Sequence, residues 1–106
     1  MNPVKLLTLT LLGAASLPVL AAEGSADAAK SKISMCVGCH GIPGYRTTFP
    51  EVYHVPKIGG QHAAYIVAAL KQYKSGERDH PSMRGIAESL SEKDMADLAA
   101  YYADKK

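Results

Sequence analysis

Apolar residues recur every three or four positions in two segments of the chain, the spacing that places side chains on one face of an α-helix. In segment 61–76 this stripe is followed by Gly76, a residue type that commonly ends helices. Its members are Tyr65, Ile66, Ala69, Leu70 and Tyr73. The segment is therefore predicted to be an amphipathic helix.

A second stripe lies near the carboxyl end and consists of Met95, Leu98, Ala99 and Tyr102. It is preceded by S-E-K-D, in which Ser91 can cap the helix and Asp94 can reach back to it, as in a capping box. We therefore predict a helix that begins after Ser91.

The segment that runs from Ser25 to Cys39 has a capping residue at its start, good helix formers and no proline. It predicts a first helix that ends near Cys39 and is stopped by Gly41. Glycines and prolines are dense from Gly41 to Gly60, which excludes a regular helix and predicts a long loop. Because no run alternates with period two, the predicted fold class is all-α.

The amino-terminal residues have the order of a secretory signal peptide: a basic residue at Lys5, an apolar run and small residues before Ala22. We predict a signal peptide at 1–22, cleavage after Ala21 or Ala22, and a periplasmic domain at 23–106. An uncleaved membrane anchor is the alternative, since the apolar run is near the short limit for spanning a bilayer.

With 106 residues, 47% of them hydrophobic, and a net charge of +2, the chain fits one small globular domain. It carries no basic field of the size that nucleic-acid binding needs, and we expect no membrane association of the mature domain. Domains this short usually gain stability from a metal, a disulfide or another internal staple.

The only two cysteines stand in C-V-G-C-H, the C-x-x-C-H pattern of c-type haem attachment. On a helix Cys36, Cys39 and His40 occupy positions i, i+3 and i+4, so all three project from one face. The two thiols can add to the vinyl groups along one haem edge while the imidazole reaches the iron from the same side. The motif predicts one covalently attached haem c.

Two other chemistries use cysteine pairs. A disulfide or a thioredoxin-like redox pair also has the form C-x-x-C, but the latter expects a βαβ pattern that the chain lacks. A structural zinc site would need a second ligand pair, and the spacings of His54, His62 and His80 miss the usual H-x3-5-H signature.

The chain resembles small bacterial class I cytochromes c, in particular the single-domain c4-like and c-553-like members. The resemblance rests on C-V-G-C-H-G, P-K-I-G-G-Q-H-A-A-Y-I, K-S-G-E-R, H-P-S-M-R-G-I-A and L-S-E-K-D-M-A-D-L-A-A-Y-Y. It implies several helices wrapped around one haem, with His40 on one iron face and a methionine on the other. Segment 42–55 replaces the short polar turn of these relatives.

Met83 falls where this family places its axial methionine, in a stretch that we expect to be irregular. His80, three residues away, is its main rival and would make a bis-histidine site. Met35 adjoins Cys36 on the His40 side, and Met95 shares the apolar stripe of the last helix, so it is expected to fill the core.

The resemblance also implies groups around the ligands. The carbonyl of Pro56 is the candidate partner for the second ring nitrogen of His40. Candidates for holding the haem propionates, each of which can equally be an ordinary solvated residue, are Tyr45, Arg46, Lys57 and Gln61.

Two protein ligands on a buried iron leave no open position for a substrate, so we expect a monomeric one-electron carrier between redox proteins and not an enzyme. Docking would be transient. Basic residues that can either gather on one docking side or form a solvated face are Lys57, Lys71, Lys74, Arg78 and Arg84. Alternatives are a haem subunit of a larger dehydrogenase, docked through segment 42–55, and a catalytic or gas-sensing protein with a labile sixth ligand.

Overall fold

A computed structural model describes residues 23–49 and 51–105. In chain order they form helices α1 (Ala26–Ala29) and α2 (Ser34–His40), strands β1 (Arg46–Thr47) and β2 (Tyr53–His54), and helices α3 (Ala63–Ser75), α4 (Pro81–Glu88) and α5 (Glu92–Ala103). The predicted all-α class is confirmed. The predicted signal peptide at 1–22 lies outside the described residues. Neither described stretch contains a helix of the length and apolarity that a membrane span requires.

Helix α5 is the centre of the core and packs against both α1 and α3, while α4 packs against α3. The predicted stripe of α5 is buried, and Met95 is only 1% exposed, as expected of a residue that fills the core. The buried cluster consists of Ala29, Ile66, Leu90, Met95, Leu98, Ala99 and Tyr102. The core therefore joins the two ends of the described chain.

The predicted capping box of α5 is present. The Asp94 backbone N–H donates to Ser91 Oγ at 3.1 Å, and the Ser91 N–H donates to the Asp94 carboxylate at 2.9 Å. These bonds satisfy backbone donors that the first turn of a helix leaves without partners. The sequence signal for this helix start was local, and the structure follows it.

Asp97, 1% exposed on α5, ties the amino-terminal segment to this helix. Its carboxylate accepts hydrogen bonds from Lys93 Nζ at 2.8 Å, from the Ser25 backbone N–H at 2.8 Å and from Lys32 Nζ at 3.1 Å. The Lys93 bond first, and then the Ser25 bond, hold the pKa of Asp97 well below its usual range. The buried carboxylate is therefore ionised and paired.

The prediction of one continuous first helix is wrong. The chain turns between α1 and α2, where Lys32 N–H donates to the Ala29 carbonyl at 2.8 Å. In this turn Lys32 reaches α5, where its ammonium pairs with Asp94 and Asp97. The interruption accompanies contacts with a helix more than 60 residues away, which the local pattern could not encode.

Gly76 ends α3 as predicted, in the left-handed conformation with φ of +86° that favours glycine. The expectation of an irregular stretch around Met83 is wrong, because α4 begins at Pro81. Proline suits the first helical position, and the His80 side chain caps the helix by accepting a hydrogen bond from the Met83 N–H.

The long loop between α2 and α3 contains one short element. Strands β1 and β2 pair antiparallel, with Arg46 opposite His54 and Thr47 opposite Tyr53. The other described residues of this segment have no regular structure, as its glycines and prolines predict. The hairpin holds the chain as it returns toward the crevice described below.

Candidate functional site

A crevice of about 410 Å³ lies between α2, α3, α4, α5 and the chain segment before α3. Its volume is in the range of cofactor and ligand sites. All five residues of the predicted α3 stripe line it: Tyr65, Ile66, Ala69, Leu70 and Tyr73. The stripe therefore forms a crevice wall, and Ile66 alone among the five is buried.

Helix α2 brings Cys36, Cys39 and His40 to this crevice. The one-face geometry expected from their spacing is thus realised on the seven-residue helix. Both cysteines are free thiols. Burial raises the pKa of the Cys36 thiol.

The His40 ring is held by the chain segment before α3. Its Nδ1 lies 2.6 Å from the carbonyl oxygen of Pro56. A carbonyl can only accept, so the ring proton is on Nδ1 and the lone pair of Nε2 is free for a metal. The candidate pairing of His40 with Pro56 is therefore present in the structure.

Helix α4 contributes Met83 and Ile86 to the crevice, and His80 lines it at the start of the same helix. His80 Nδ1 accepts a hydrogen bond from the Met83 N–H at 3.4 Å. In a neutral imidazole that accepts at Nδ1, the proton is on Nε2. In this arrangement His80 has no second free lone pair to offer an iron.

The remaining histidines lie away from the crevice lining. His54 is exposed on β2, and His62 is exposed at the start of α3. Met35 does line the crevice, but from α2, the helix that carries His40.

Two of the four candidates for holding the haem propionates line the crevice, and two do not. Lys57 and Gln61 line the crevice, whereas Tyr45 and Arg46 are not among its lining residues. Arg46 is exposed on β1, and the Tyr45 carbonyl accepts a hydrogen bond from the Val55 N–H at 3.0 Å. Tyr45 and Arg46 therefore shape the hairpin.

Arg78 is a crevice residue that the sequence did not reveal as one. Its guanidinium donates to the Tyr65 hydroxyl at 2.8 Å and lies 5.5 Å from the ring centroids of both Tyr65 and Tyr73. The hydrogen bond with Tyr65 is the main cause that raises the pKa of Arg78, a side chain that is charged at neutral pH in any case. The sequence signal for this contact was that Tyr65 and Tyr73 lie about two helical turns apart, shortly before Gly76 ends the helix.

Tyr102 also lines the crevice, from α5. Its hydroxyl is buried and has no hydrogen-bond partner among the described residues. Burial is the main cause that raises the pKa of this phenol, so the hydroxyl keeps its proton at neutral pH. A buried polar group without a partner is costly in a folded protein and calls for an explanation.

These residues fit a covalently bound haem. The crevice is lined mainly by apolar and aromatic side chains, and one helix presents two free thiols beside an imidazole with a free Nε2. A thioether is available from a different helix at Met83. Together they supply two attachment points and two candidate iron ligands.

Comparisons with known proteins agree with this chemistry. The family model described as Cytochrome c matches residues 21–103. Cytochrome c4 of Pseudomonas aeruginosa is 38% identical over 101 residues, which cover 95% of this chain and 46% of that protein. Cytochrome c-554(548) of Halomonas halodenitrificans is 37% identical over 86 residues, which cover 78% of this chain and 99% of that protein.

A third relative, named thiosulfate dehydrogenase electron acceptor, comes from Thiomonas intermedia and is 32% identical over 86 residues, 81% of this chain and 38% of that protein. The chain spans about half the length of the cytochromes c4 that it matches. The family model covers most of the chain, including α2 with its C-x-x-C-H motif and the parts of α3, α4 and α5 that line the crevice. The chain therefore belongs to the cytochrome c family of haem-binding electron-transport proteins, as a small class I member of the c4 type with covalently attached haem c.

Proposed function

We propose that this chain is a periplasmic monohaem cytochrome that carries single electrons between redox proteins, with the haem iron ligated by His40 and Met83. The observation that carries the proposal is the shared crevice, which receives Cys36, Cys39 and His40 from α2 and Met83 from α4. When bound, the haem supplies an iron that accepts and releases one electron.

The chain's own residues hold and orient this group. Cys36 and Cys39 would hold the haem against α2 by thioether bonds to its two vinyl groups. The Pro56 carbonyl accepts a hydrogen bond from the His40 Nδ1–H and leaves the Nε2 lone pair free for an iron. Such a bond also makes the imidazole a more basic ligand.

Met83 is the better candidate for the second iron ligand than His80. His80 already uses Nδ1 to cap α4, and its ring packs edge-on against Tyr53 at 4.8 Å between centroids. A thioether is a soft, neutral ligand that favours ferrous iron, so methionine ligation raises the reduction potential. The expected protein is a carrier of fairly positive potential.

The basic residues considered for docking are mostly engaged within the chain. Lys71 pairs with Glu92 at 3.3 Å, Arg84 pairs with Glu88 at 3.1 Å, and Lys74 donates to the Leu90 carbonyl. Arg78 binds Tyr65, as described above. These contacts favour weak, transient docking over a strongly charged docking face.

The test is expression of the full chain, with its predicted signal peptide, in a bacterium that attaches haem c. We expect a low-spin spectrum with the weak red band that reports methionine sulfur on ferric iron. Met83→Ala should lose this band and bind carbon monoxide. Met35→Ala is the matched control, since Met35 also lines the crevice and should keep the band.

His80→Ala separates the rival ligand from Met83. It should keep the low-spin spectrum and the red band. If His80→Ala became high-spin while Met83→Ala kept the wild-type spectrum, His80 and not Met83 would be the second iron ligand. A wild-type protein that is high-spin and binds carbon monoxide would refute the electron-carrier proposal.

A second candidate is favoured by the name of one relative, an electron acceptor of thiosulfate dehydrogenase. The chain would then be dedicated to one dehydrogenase. Exposed apolar side chains between α2 and α3 include Phe49, 86% exposed, and Val52, 71% exposed. Co-purification with a larger enzyme near one-to-one, lost in Phe49→Ser with Val52→Ser, would support this function, whereas monomeric behaviour with exchange to many partners would refute it.

A further inference from the structure

The hydroxyl of Tyr102 is a buried donor that no residue of the described chain satisfies. The side chain is 8% exposed, and its hydroxyl oxygen is inaccessible to solvent. The residue lines the same crevice as Cys36, and Cys36 packs against the buried cluster that contains Tyr102. Tyr102 therefore lies where the buried core meets the cofactor crevice.

The position of Tyr102 is fixed from several sides. Its carbonyl oxygen accepts hydrogen bonds from the Gly60 N–H at 2.8 Å and the Lys105 N–H at 3.1 Å. Its ring packs at 87° to that of Tyr101, with 5.1 Å between centroids. A hydroxyl held in this way cannot turn to solvent to find a partner, so its partner must come from the crevice.

Cys36 lines the same crevice and packs against the same cluster as Tyr102, and after burial it is the next cause that raises the pKa of the Tyr102 hydroxyl, so the two groups are neighbours. In the free thiol both groups are donors, but after haem attachment the Cys36 sulfur carries no proton and can only accept. We propose that the Tyr102 hydroxyl donates a hydrogen bond to the Cys36 thioether sulfur and thereby raises the reduction potential of the haem. The inference rests on the proposed electron-carrier function and adds a residue that tunes it.

The sign of the effect follows from electrostatics. The O–H dipole points its positive end at the haem edge, which disfavours the ferric form because that form carries one more positive charge. Hydrogen bonding near the cofactor and a low dielectric are established determinants of haem potentials. Removing the hydroxyl should therefore lower the potential.

The experiment compares the holoprotein with Tyr102→Phe, which removes only the hydroxyl. A typical net hydrogen bond of about 1 kcal/mol corresponds to a roughly fivefold change in an equilibrium constant. We expect the ferric-to-ferrous ratio at fixed ambient potential to rise by roughly two- to fivefold, or about 20–40 mV at 59 mV per tenfold. Tyr101→Phe is the matched control: it loses a hydroxyl on the same helix outside the crevice lining and should keep the wild-type potential.

A second measurement does not depend on a variant. Resonance Raman spectra of the wild-type holoprotein, prepared in H2O and in D2O, should differ in the thioether C–S stretching modes, because the hydrogen-bond donor is exchangeable. The same comparison on Tyr102→Phe should show no such shift.

The outcomes separate this inference from the function on which it rests. A reversible one-electron couple in the wild type, with an equal potential in Tyr102→Phe, overturns the inference alone, as does a wild-type protein without the isotope shift. A lower melting temperature with no change of potential would mean that Tyr102 only packs. A wild-type protein without a reversible couple overturns both.

Discussion

Gly24 lies where the chain before α1 meets the backbone of α5. A Cβ added at this position would overlap the carbonyl group of Ala96 and come within 2.6 Å of the Asp97 backbone nitrogen. Both neighbours belong to the backbone of a packed helix, so no side-chain rotation can relieve the overlap. In Gly24→Ala the amino-terminal segment must therefore move away from α5.

This movement breaks contacts that are visible in the structure. The Ser25 N–H leaves the Asp97 carboxylate, and Ser25 loses its capping position, where its Oγ accepts from the Ala28 N–H at 3.2 Å. Forcing an extra methyl group into a packed site costs about 1–3 kcal/mol. At about 4–8 °C per kcal/mol for a domain of this size, a cost of about 2 kcal/mol lowers Tm by roughly 8–16 °C.

The assay is thermal unfolding of the haem-loaded protein, followed by far-ultraviolet circular dichroism. Gly85→Ala is the matched control, since Gly85 is exposed within α4 and a Cβ there meets nothing within 4 Å. Alanine should stabilise that helix by about 0.4–1 kcal/mol, so Tm should stay equal or rise. A Gly24→Ala variant that melts with the wild type, or an equal loss in Gly85→Ala, would refute the reasoning.

Three further predictions concern α5. Leu98→Ala, at 2% exposure, opens a cavity in the core and should reduce the free energy of unfolding by about 2–5 kcal/mol in urea denaturation, whereas no loss would mean that the site collapses. Ser91→Ala removes the cap and should cost about 1 kcal/mol in the same assay, with Ser89→Ala, outside α5, as comparison. Asp94 has its pKa lowered from 3.8 to about 2 in the folded state, chiefly by its contact with Lys32. The stabilising contribution of the Asp94 carboxylate is therefore complete above about pH 4 and is lost as pH falls toward 2. The urea midpoints of wild type and Asp94→Asn should therefore differ at pH 7 and converge near pH 2, and a constant difference would contradict the assignment.

Much of the fold followed from local signals. Gly76 ends α3, Ser91 begins α5, and the apolar stripe of α5 is buried, because caps and helical periodicity act within a few residues. The start of α4 was missed although its signal was also local: proline suits the first helical position, and the side chain of His80 caps the helix before it. The sequence therefore contained the signal for the start of α4, but the prediction treated Pro81 only as a residue that interrupts helices.

Other features depended on parts of the chain that are distant in sequence. The break between α1 and α2 accompanies the ion pairs of Lys32 with α5, and the role of Arg78 depends on two tyrosine rings of α3. The hydrogen bond between His40 and Pro56 joins residues 16 positions apart, and was expected only through resemblance to a family. Neither composition nor periodicity can specify such contacts.

The sequence by itself determined the chemistry of attachment, because C-x-x-C-H places two thiols and an imidazole on one helix face wherever that helix lies. It also determined where α3 ends and where α5 begins, since caps and helical periodicity act within a few residues. Only the tertiary structure decided which groups share the crevice with those thiols: Met83 from α4 and His80 before it, Arg78 after α3, and Tyr102 from α5. These groups come from distant positions, and long-range packing alone brings them to one crevice.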